Sequence, residues 1–393
     1  MKAALIIARI IVGLLFIFSG LVKANDPLGL SYKMQEFFEI WGITQFNGHT
    51  LWMSIVMNAF EIIAGAALLL GWKMRLFSWL LLLLILFFTF LTGYAYLSGK
   101  FKNCGCFGDC IPITPFTSFI KDIALTLLIG FIFWQRKNIK PLFSRTTSAI
   151  SLMLVAAVSF GIQWYTLSFL PVFDCLPFRK GNHIPTQMQI PQGAVPDSFA
   201  IVFVYEKDGK EYEFLPTGFP DDLSTYKFVK RTDKLIRKGN AEPPLKSFSL
   251  SGITDIDSTQ TILDQDFAIL LFIQDFSTPV SSWQDEVTRI YNEASLRNIP
   301  MYAVTNRLSE AVKHFSATPL RDIPVMKCDF TAIRTAARTN PTIFLLQKGT
   351  VIGKWSHRRS DQVVEKIQTL VVPEPELPQQ EPIPPPIDTP KIK

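Results

Sequence analysis

The chain has 393 residues, 48% of them apolar, and a formal net charge of +6. Its mean hydropathy of +0.24 is high for a soluble protein, and the excess lies toward the N-terminus, which predicts a membrane unit followed by an extra-membrane module in two or three domains. The positive charge sits in short segments beside apolar runs, and no nucleic-acid-binding motif accompanies it, so it reads as a topology signal and excludes a nucleic-acid partner.

The first apolar run, 3–22, is long enough to cross a hydrocarbon core at about 1.5 Å per helical residue. A cleaved signal peptide is the competing reading, with Lys2 as its charged start and Val22-Lys23-Ala24 as the cleavage site. Arg9 inside the run and the run's length both argue against it. Arg9 is expected to snorkel to the cytoplasmic surface. Lys23 and Asp26 are expected to end the span, and Pro27 to stop any further helix. Runs over 51–70, 76–97, 116–134 and 150–170 bring the spans to five.

Asn58 and Glu61 lie three apart in the second span and so share a helix face. A charge at mid-membrane costs about 2.5–3.5 kcal/mol on insertion scales, which turns this face toward the bundle interior. Two roles stay open: a proton relay or quinone-proximal carboxylate, and a packing group bonded to a Ser or Thr of a neighbouring span. The 116–134 run is read as apolar, leaving Glu61 without a second intramembrane carboxylate, and that favours packing.

Topology follows from the loops. The 135–145 segment carries Arg136, Lys137, Lys140 and Arg145 with no acid, and the turn near Gly71 carries Lys73 and Arg75. Both belong in the cytoplasm by the positive-inside rule. Alternation then places the N-terminus inside and three segments outside: 23–50, the loop after the third span, and everything beyond 170. In a bacterial inner membrane that outer side is the oxidising periplasm, where paired cysteines can form bridges and persist.

The loop after the third span holds three of the five cysteines, in Asn103-Cys104-Gly105-Cys106-Phe107-Gly108-Asp109-Cys110. Two cysteines separated by one glycine can close a small ring, because glycine accepts the positive φ that brings the sulfurs together. A strained, exposed disulfide belongs to the labile, catalytic kind. Cys104, Cys106 and Cys110 are the candidate catalytic residues, with Cys175, five residues past the last span, as partner thiol. A metal site of Cys104, Cys106 and Cys110 with His49 or His183 is a rival, although the spacing differs from paired C-x-x-C knuckles. A structural bridge of Cys110 with Cys175 is another. Asp109 beside Cys110 would raise a thiol pKa, which speaks against Cys110 as the attacking nucleophile.

The pattern Arg9, Gly13, Leu14, Phe16, Phe18-Ser19-Gly20, Lys23 and Asp26-Pro27, followed by three spans and the Cys104-Gly105-Cys106-Phe107-Gly108 loop, resembles the DoxX/MauE superfamily of small four-helix membrane proteins. The resemblance covers about the first 140 residues. It implies redox-associated membrane function: the MauE branch is linked to maturation of the periplasmic enzyme methylamine dehydrogenase, and DoxX relatives to quinone redox chemistry. On that resemblance Cys104 and Cys106 inherit the redox role, and a quinone is the implied redox partner. Cys110, the fifth span and a large C-terminal domain depart from the family pattern and are most similar to the extended DoxX-type proteins of Bacteroidetes.

Beyond the last span, 171–195 is rich in Pro and Gly and reads as a linker. A hairpin follows, 200–206 and 210–215 around Asp208-Gly209, and then a polar segment through Pro243-Pro244. From about Phe248 strands and helices alternate: strand 267–273, helix 281–297, strand 300–305, helix 308–315, strand 325–328, a helix near Thr331, strands 342–347 and 350–355, and helix 361–370. This order looks like a thioredoxin-like fold with Pro341 as its cis-proline. Where that fold carries C-x-x-C the chain has Ser277-Thr278-Pro279-Val280, so the domain cannot run thiol chemistry by itself. Cys328 reads as a buried small hydrophobe.

The expected domains are a four-helix DoxX/MauE-like membrane unit (1–140), a fifth span (147–171), a linker with hairpin (172–247), an α/β thioredoxin-like extracytoplasmic domain (248–371) and a proline-rich tail (372–393). Two functions fit. One is thiol-disulfide exchange through the C-x-C loop between a periplasmic client and a membrane acceptor such as a quinone. The other is a non-enzymatic scaffold presenting a redox-dead, peptide-binding thioredoxin relative. Beyond the lipid bilayer and such a client, the sequence names no partner, and it assigns no metal.

Overall fold

The computed structural model describes residues 2–371 apart from 102, 104, 197, 238 and 240. Cys104 and the 372–393 tail therefore lie outside the described residues. Six helices open the chain: α1 (Lys2–Asn25), α2 (Pro27–Trp41), α3 (Thr50–Leu70), α4 (Met74–Ser98), α5 (Pro115–Trp134) and α6 (Arg145–Phe169). Five spans, the second beginning in a 3-10 turn at Thr44–His49, are long and apolar enough to cross a membrane, so the chain is a multi-pass membrane protein.

Helix α2 corrects the expectation at Pro27. Proline without an N–H is tolerated at a first helical position, where that donor has no intrahelical partner. Pro27 takes that position here, and Asp26 becomes the N-cap, its Oδ1 accepting from Gly29 N at 3.0 Å. The residues read as a helix stop thus open a new helix.

The tightest packing in the bundle is between α1 and α3, at positions without side chains. A Cβ on Gly65 would lie 2.7 Å from the Gly13 carbonyl, and one on Gly20 would lie 2.6 Å from Ile62 Cγ1. Small residues let two backbones approach where lipid supplies no hydrophobic drive. Asn58 Nδ2 donates to Gln163 Oε1 at 3.2 Å, tying α3 to α6. Arg9 stays partly exposed, and its guanidinium donates to the Leu68 and Leu69 carbonyls (3.2 and 2.9 Å) in the last turn of α3, beside the basic turn at Gly71. The two basic turns meet at this end, where Leu142 N bonds Leu70 O at 3.0 Å.

After α6, a short helix α7 (Ile184–Gln187) precedes a three-stranded antiparallel sheet, β1 (Ser198–Lys207), β2 (Lys210–Phe214) and β3 (Lys227–Arg237), in the order β2-β1-β3. The third strand lies in the segment read as merely polar. The C-terminal domain runs α8 (Thr259–Leu263), β4 (Ala268–Phe272), α9 (Gln284–Leu296), β5 (Met301–Thr305), α10 (Leu308–Phe315), β6 (Val325–Lys327), α11 (Phe330–Ala336), β7 (Thr342–Gln347), β8 (Thr350–Ser356) and α12 (Ser360–Gln368). Its sheet order is β6-β5-β4-β7-β8, with β4, β5 and β6 parallel and β7 and β8 antiparallel. Pro341, in cis, precedes β7. This is the thioredoxin-like arrangement.

Strand β4 is buried on both faces, as a central strand covered by helices must be. Leu270 and Phe272 pack with Phe178, Ile184 and Phe344 on one side, while Ile269 and Leu271 pack with Trp283, Val287 and Val363 on the other. Phe178 and Ile184 come from the stretch read as a linker. It pairs with the β7–β8 turn, Ile184 N to Gly349 O at 2.8 Å and Gly181 N to Val351 O at 2.8 Å, so the domain begins well before Phe248.

The α1–α3 contact makes a test. Gly65→Val should lower stability by about 1–3 kcal/mol through overpacking, whereas Gly161→Val on α6, where nothing lies within 4 Å, should be neutral. Thermal midpoints of the two purified variants in detergent measure the difference.

Candidate functional site

The cysteine loop sits between the membrane helices and the thioredoxin-like domain. Gly105 adopts φ 66°, the left-handed conformation the sequence assigned to it. Cys110 is joined to Cys175 by a disulfide, which fixes the far end of the loop to the chain leaving α6. Cys106 is a free thiol. It is partly exposed, and the surface it keeps forms part of the wall of a cavity inside the bundle.

Counting the open space at its mouth, that cavity spans about 1090 Å³. Its walls are largely apolar and aromatic, including Met34, Phe37, Trp41, Met57, Phe88 and Leu125. Helix α2 spans it like a roof. Leu30, Met34, Phe37 and Trp41 of α2 face the cavity, while Tyr32 and Gln35 bond outward to the thioredoxin-like domain.

The polar groups of the cavity are concentrated in two places. In the first, Lys23 forms a buried ion pair with Glu61, and Ser19 Oγ donates to the other Glu61 oxygen at 2.9 Å. Ser19 Oγ also lies 3.2 Å from the Cys106 carbonyl, within hydrogen-bonding range. In the second, Lys121 pairs with Asp122 at 2.7 Å, and Thr92 Oγ1 donates to Asp122 Oδ2 at 3.0 Å. Three expectations are corrected here. Lys23 does not merely end the first span, Glu61 takes a lysine as well as a hydroxyl partner, and Asp122 is a second buried carboxylate within a span. Asn58 shares the face of Glu61 but bonds α6 instead of the cavity groups. The signal that would have found the second pair was Lys121-Asp122 itself, since a charged dipeptide inside an apolar run is costly unless it is paired.

Burial pushes the Cys106 thiol above its ordinary pKa, and the nearby Lys121 ammonium pulls it back down. Cys328 is buried between β6 and α11, with its thiol pushed up to about 12 by burial, so it is not a thiolate at neutral pH. His49 precedes α3, and His183 bonds Thr186 Oγ1 at 2.8 Å against the thioredoxin-like core. Among the described residues no three His, Cys, Asp or Glu side chains gather as a metal site would need.

The thioredoxin-like domain is docked by the end of its sheet where this fold carries its active site. Gln274, just past β4, accepts from Tyr32 Oη at 3.1 Å, and Arg334 Nη2 donates to Gln35 Oε1 at 2.6 Å. Arg338, three residues before Pro341, donates through Nε to Asp26 Oδ2 at 2.7 Å and through Nη2 to Asp109 Oδ2 at 3.1 Å. Lys354 Nζ donates to Asp174 Oδ2 at 2.7 Å. Each half of the Cys110–Cys175 disulfide is thus preceded by an acid that holds a buried base of the domain. Burial alone would lower the Arg338 pKa; Asp26 and Asp109 more than offset this, and the net direction is upward.

Residues 1–135 match the family model described as methylamine utilisation protein MauE, and residues 199–238, the three-stranded sheet, match a domain of unknown function, DUF8463. A protein named TlpB from Flavobacterium psychrophilum is 27% identical over 186 residues, covering 45% of this chain and 50% of that protein. The chain thus matches about half the length of this curated relative. Among solved structures, copper-bound yeast Sco1 aligns at 14% identity and TM-score 0.26, over 32% of this chain and 92% of its own. The bacterioferritin comigratory protein of Xanthomonas campestris aligns at 18% identity and TM-score 0.24, over 31% and 88%.

Removing the Arg338 guanidinium leaves two carboxylates facing each other without a cation. Arg338→Ala should cost about 3–5 kcal/mol at the docking contact. Hydrogen exchange should rise in 26–36 and 105–110 together, and Arg338→Lys should not restore protection, because one ammonium cannot replace a planar fork between two acids.

Proposed function

We propose that the chain is a membrane-embedded thiol-disulfide oxidoreductase that carries electron pairs from an extracytoplasmic client to a quinone. The observation that supports this most is the placement of Cys106, a free thiol in the wall of an apolar cavity inside the helix bundle. In the proposed cycle a client dithiol reduces the Cys104–Cys106 disulfide by thiol-disulfide exchange and becomes a disulfide itself. The Cys104–Cys106 dithiol then loses two electrons and two protons as its S–S bond re-forms, and a quinone takes up both to become a hydroquinone.

The cavity suits a quinone as substrate. Its aromatic and aliphatic walls suit the ring and isoprenoid tail, and the Lys23, Glu61 and Ser19 corner supplies hydrogen-bonding groups for a ring carbonyl or hydroxyl. The Cys110–Cys175 bridge acts as the brace of the loop in this reading, leaving Cys104 and Cys106 as the cycling pair. The basic turns at the opposite end of the bundle support a cytoplasmic N-terminus, with the cysteine loop and thioredoxin-like domain on the periplasmic side of an inner membrane. The domain boundaries that fit this division are 2–142 for the redox unit, 145–169 for the last span and 177–370 for the docked module. In this reading the client is a periplasmic protein under maturation, as the resemblance to MauE implies.

A second reading, a membrane scaffold presenting a peptide-binding domain, draws on the thioredoxin-like module, whose active-site position carries Ser277 to Val280 in place of thiols. The two readings part on the cysteines. In intact cells, thiol trapping should find Cys104 and Cys106 oxidised while respiration runs and reduced when respiratory quinone is depleted. A pair that stays reduced in both states overturns the redox reading. Replacing Cys104 and Cys106 with serine should abolish client oxidation at unchanged protein level, and client oxidation that persists favours the scaffold.

A further inference from the structure

The exchange proposed above leaves a cluster on α5 unexplained. Ser118, Lys121 and Asp122 lie within about one helical turn, and all three are directed toward the cysteine loop or the cavity it closes. Asp122 is 1% exposed, with one oxygen bonded by Lys121 and the other by Thr92, so it holds the ammonium in one place. Lys121 Nζ also lies 5.1 Å from the centroid of the Phe107 ring, the residue that follows Cys106. The Ser118 hydroxyl is buried, about one turn before Lys121, and has no hydrogen-bond partner among the described residues, which leaves it free to turn toward the Cys106 thiol. A lysine within a span costs about 2.5–3.5 kcal/mol, a cost that a second anionic partner would offset when that partner ionises.

We propose that Lys121, positioned by Asp122, stabilises the Cys106 thiolate while the Ser118 hydroxyl donates to the same sulfur, making Cys106 the thiol that faces the acceptor. The assignment rests on the redox reading above and deepens it. Ionisation breaks the S–H bond, leaves the electron pair on sulfur and passes the proton to water at the loop. The charged groups around the thiol are Lys23 of α1, Lys33 of α2 against Gly105, Glu61 of α3, and Lys121 and Asp122 of α5. Burial of Cys106 opposes the thiolate and Lys121 favours it, so removing the cation moves ionisation to higher pH.

The test uses the full chain in lipid nanodiscs with Cys104→Ser and Cys328→Ala, so that Cys106 is the free thiol that reports. The rate of N-ethylmaleimide alkylation is followed against pH. Lys121→Met should move the alkylation midpoint up by about 1 pH unit or more, Lys121→Arg should restore it, and Ser118→Ala should move it up by less. An unchanged midpoint in Lys121→Met overturns the proposal, and if that variant does not fold, an unchanged midpoint in Ser118→Ala does so. The underlying reading is scored separately, by single-turnover reduction of decylubiquinone by the pre-reduced, desalted protein with Cys104 present. Met57→Trp, which fills the cavity wall, should slow that turnover at least tenfold and leave the alkylation midpoint where it was. If the wild type fails to reduce decylubiquinone while the midpoint shift is present, the quinone reading falls and the thiolate assignment stands. If it reduces decylubiquinone and the midpoint does not move, the assignment falls alone.

Discussion

A single guanidinium joins the parts of this protein that matter for its chemistry. Arg338 lies between Asp26, the N-cap of α2, and Asp109, in the cysteine loop, with its side chain 3% exposed. Asp26 serves two structures at once: one oxygen caps α2 and the other receives Arg338. Loss of the fork would loosen the domain's hold on both α2 and the cysteine loop at once, leaving Asp26 to cap α2 alone and the loop held by its disulfide. The buried geometry makes the coupling strong, since charges removed from water cannot exchange one partner for solvent at low cost.

Helix α2 turns that docking into a property of the membrane cavity. Its Met34, Phe37 and Trp41 side complements the apolar interior, and its Tyr32 and Gln35 side meets Gln274 and Arg334 of the domain. Tyr32 also lies under both arginines, with guanidinium carbons 4.6 and 5.5 Å from its ring centroid. A thioredoxin-like module without active-site thiols therefore has a physical use: the end of its sheet where this fold carries its active site covers the roof of the cavity, where a reactive pair would compete with the loop below. Under the proposed function this confines electron transfer to Cys104 and Cys106.

Much of this was legible in the sequence, and the reasons for the rest are physical. The five spans followed from length and hydropathy alone, and the thioredoxin-like order followed from alternating apolar strands and amphipathic helices, because both are one-dimensional patterns. Pro27 misled because proline both ends and begins helices, and only the capping Asp26 before it distinguishes the two. The third strand of the small sheet was hidden because Lys227 to Arg237 breaks its apolar residues into two short pairs, Phe228-Val229 and Leu235-Ile236, around a charged stretch on a largely exposed ribbon, leaving no apolar run to notice. The buried pairs were harder still. Lys23 sits near a helix end, where lysines usually reach water, and its partner Glu61 is 38 residues away, so only the crossing of α1 and α3 at Gly20 and Gly65 brings them together.

That crossing also shows why the two lysine–carboxylate pairs belong to one design and are not two accidents of packing. Close approach of α1 to α3 sets Ser19, Lys23 and Glu61 on one wall of the cavity, and the α4–α5 contact sets Thr92, Lys121 and Asp122 on another. The segment carrying Cys106 is held against both walls, by the Ser19 hydroxyl near its carbonyl on one side and the α5 cluster on the other. In many proteins, replacing a buried ion pair with well-packed apolar residues is neutral or stabilising, because the desolvation of buried charges is rarely recovered in full. Under the proposed function, two such pairs facing one apolar cavity, with a free thiol between them, supply charge that can change during the reaction as well as hold helices together.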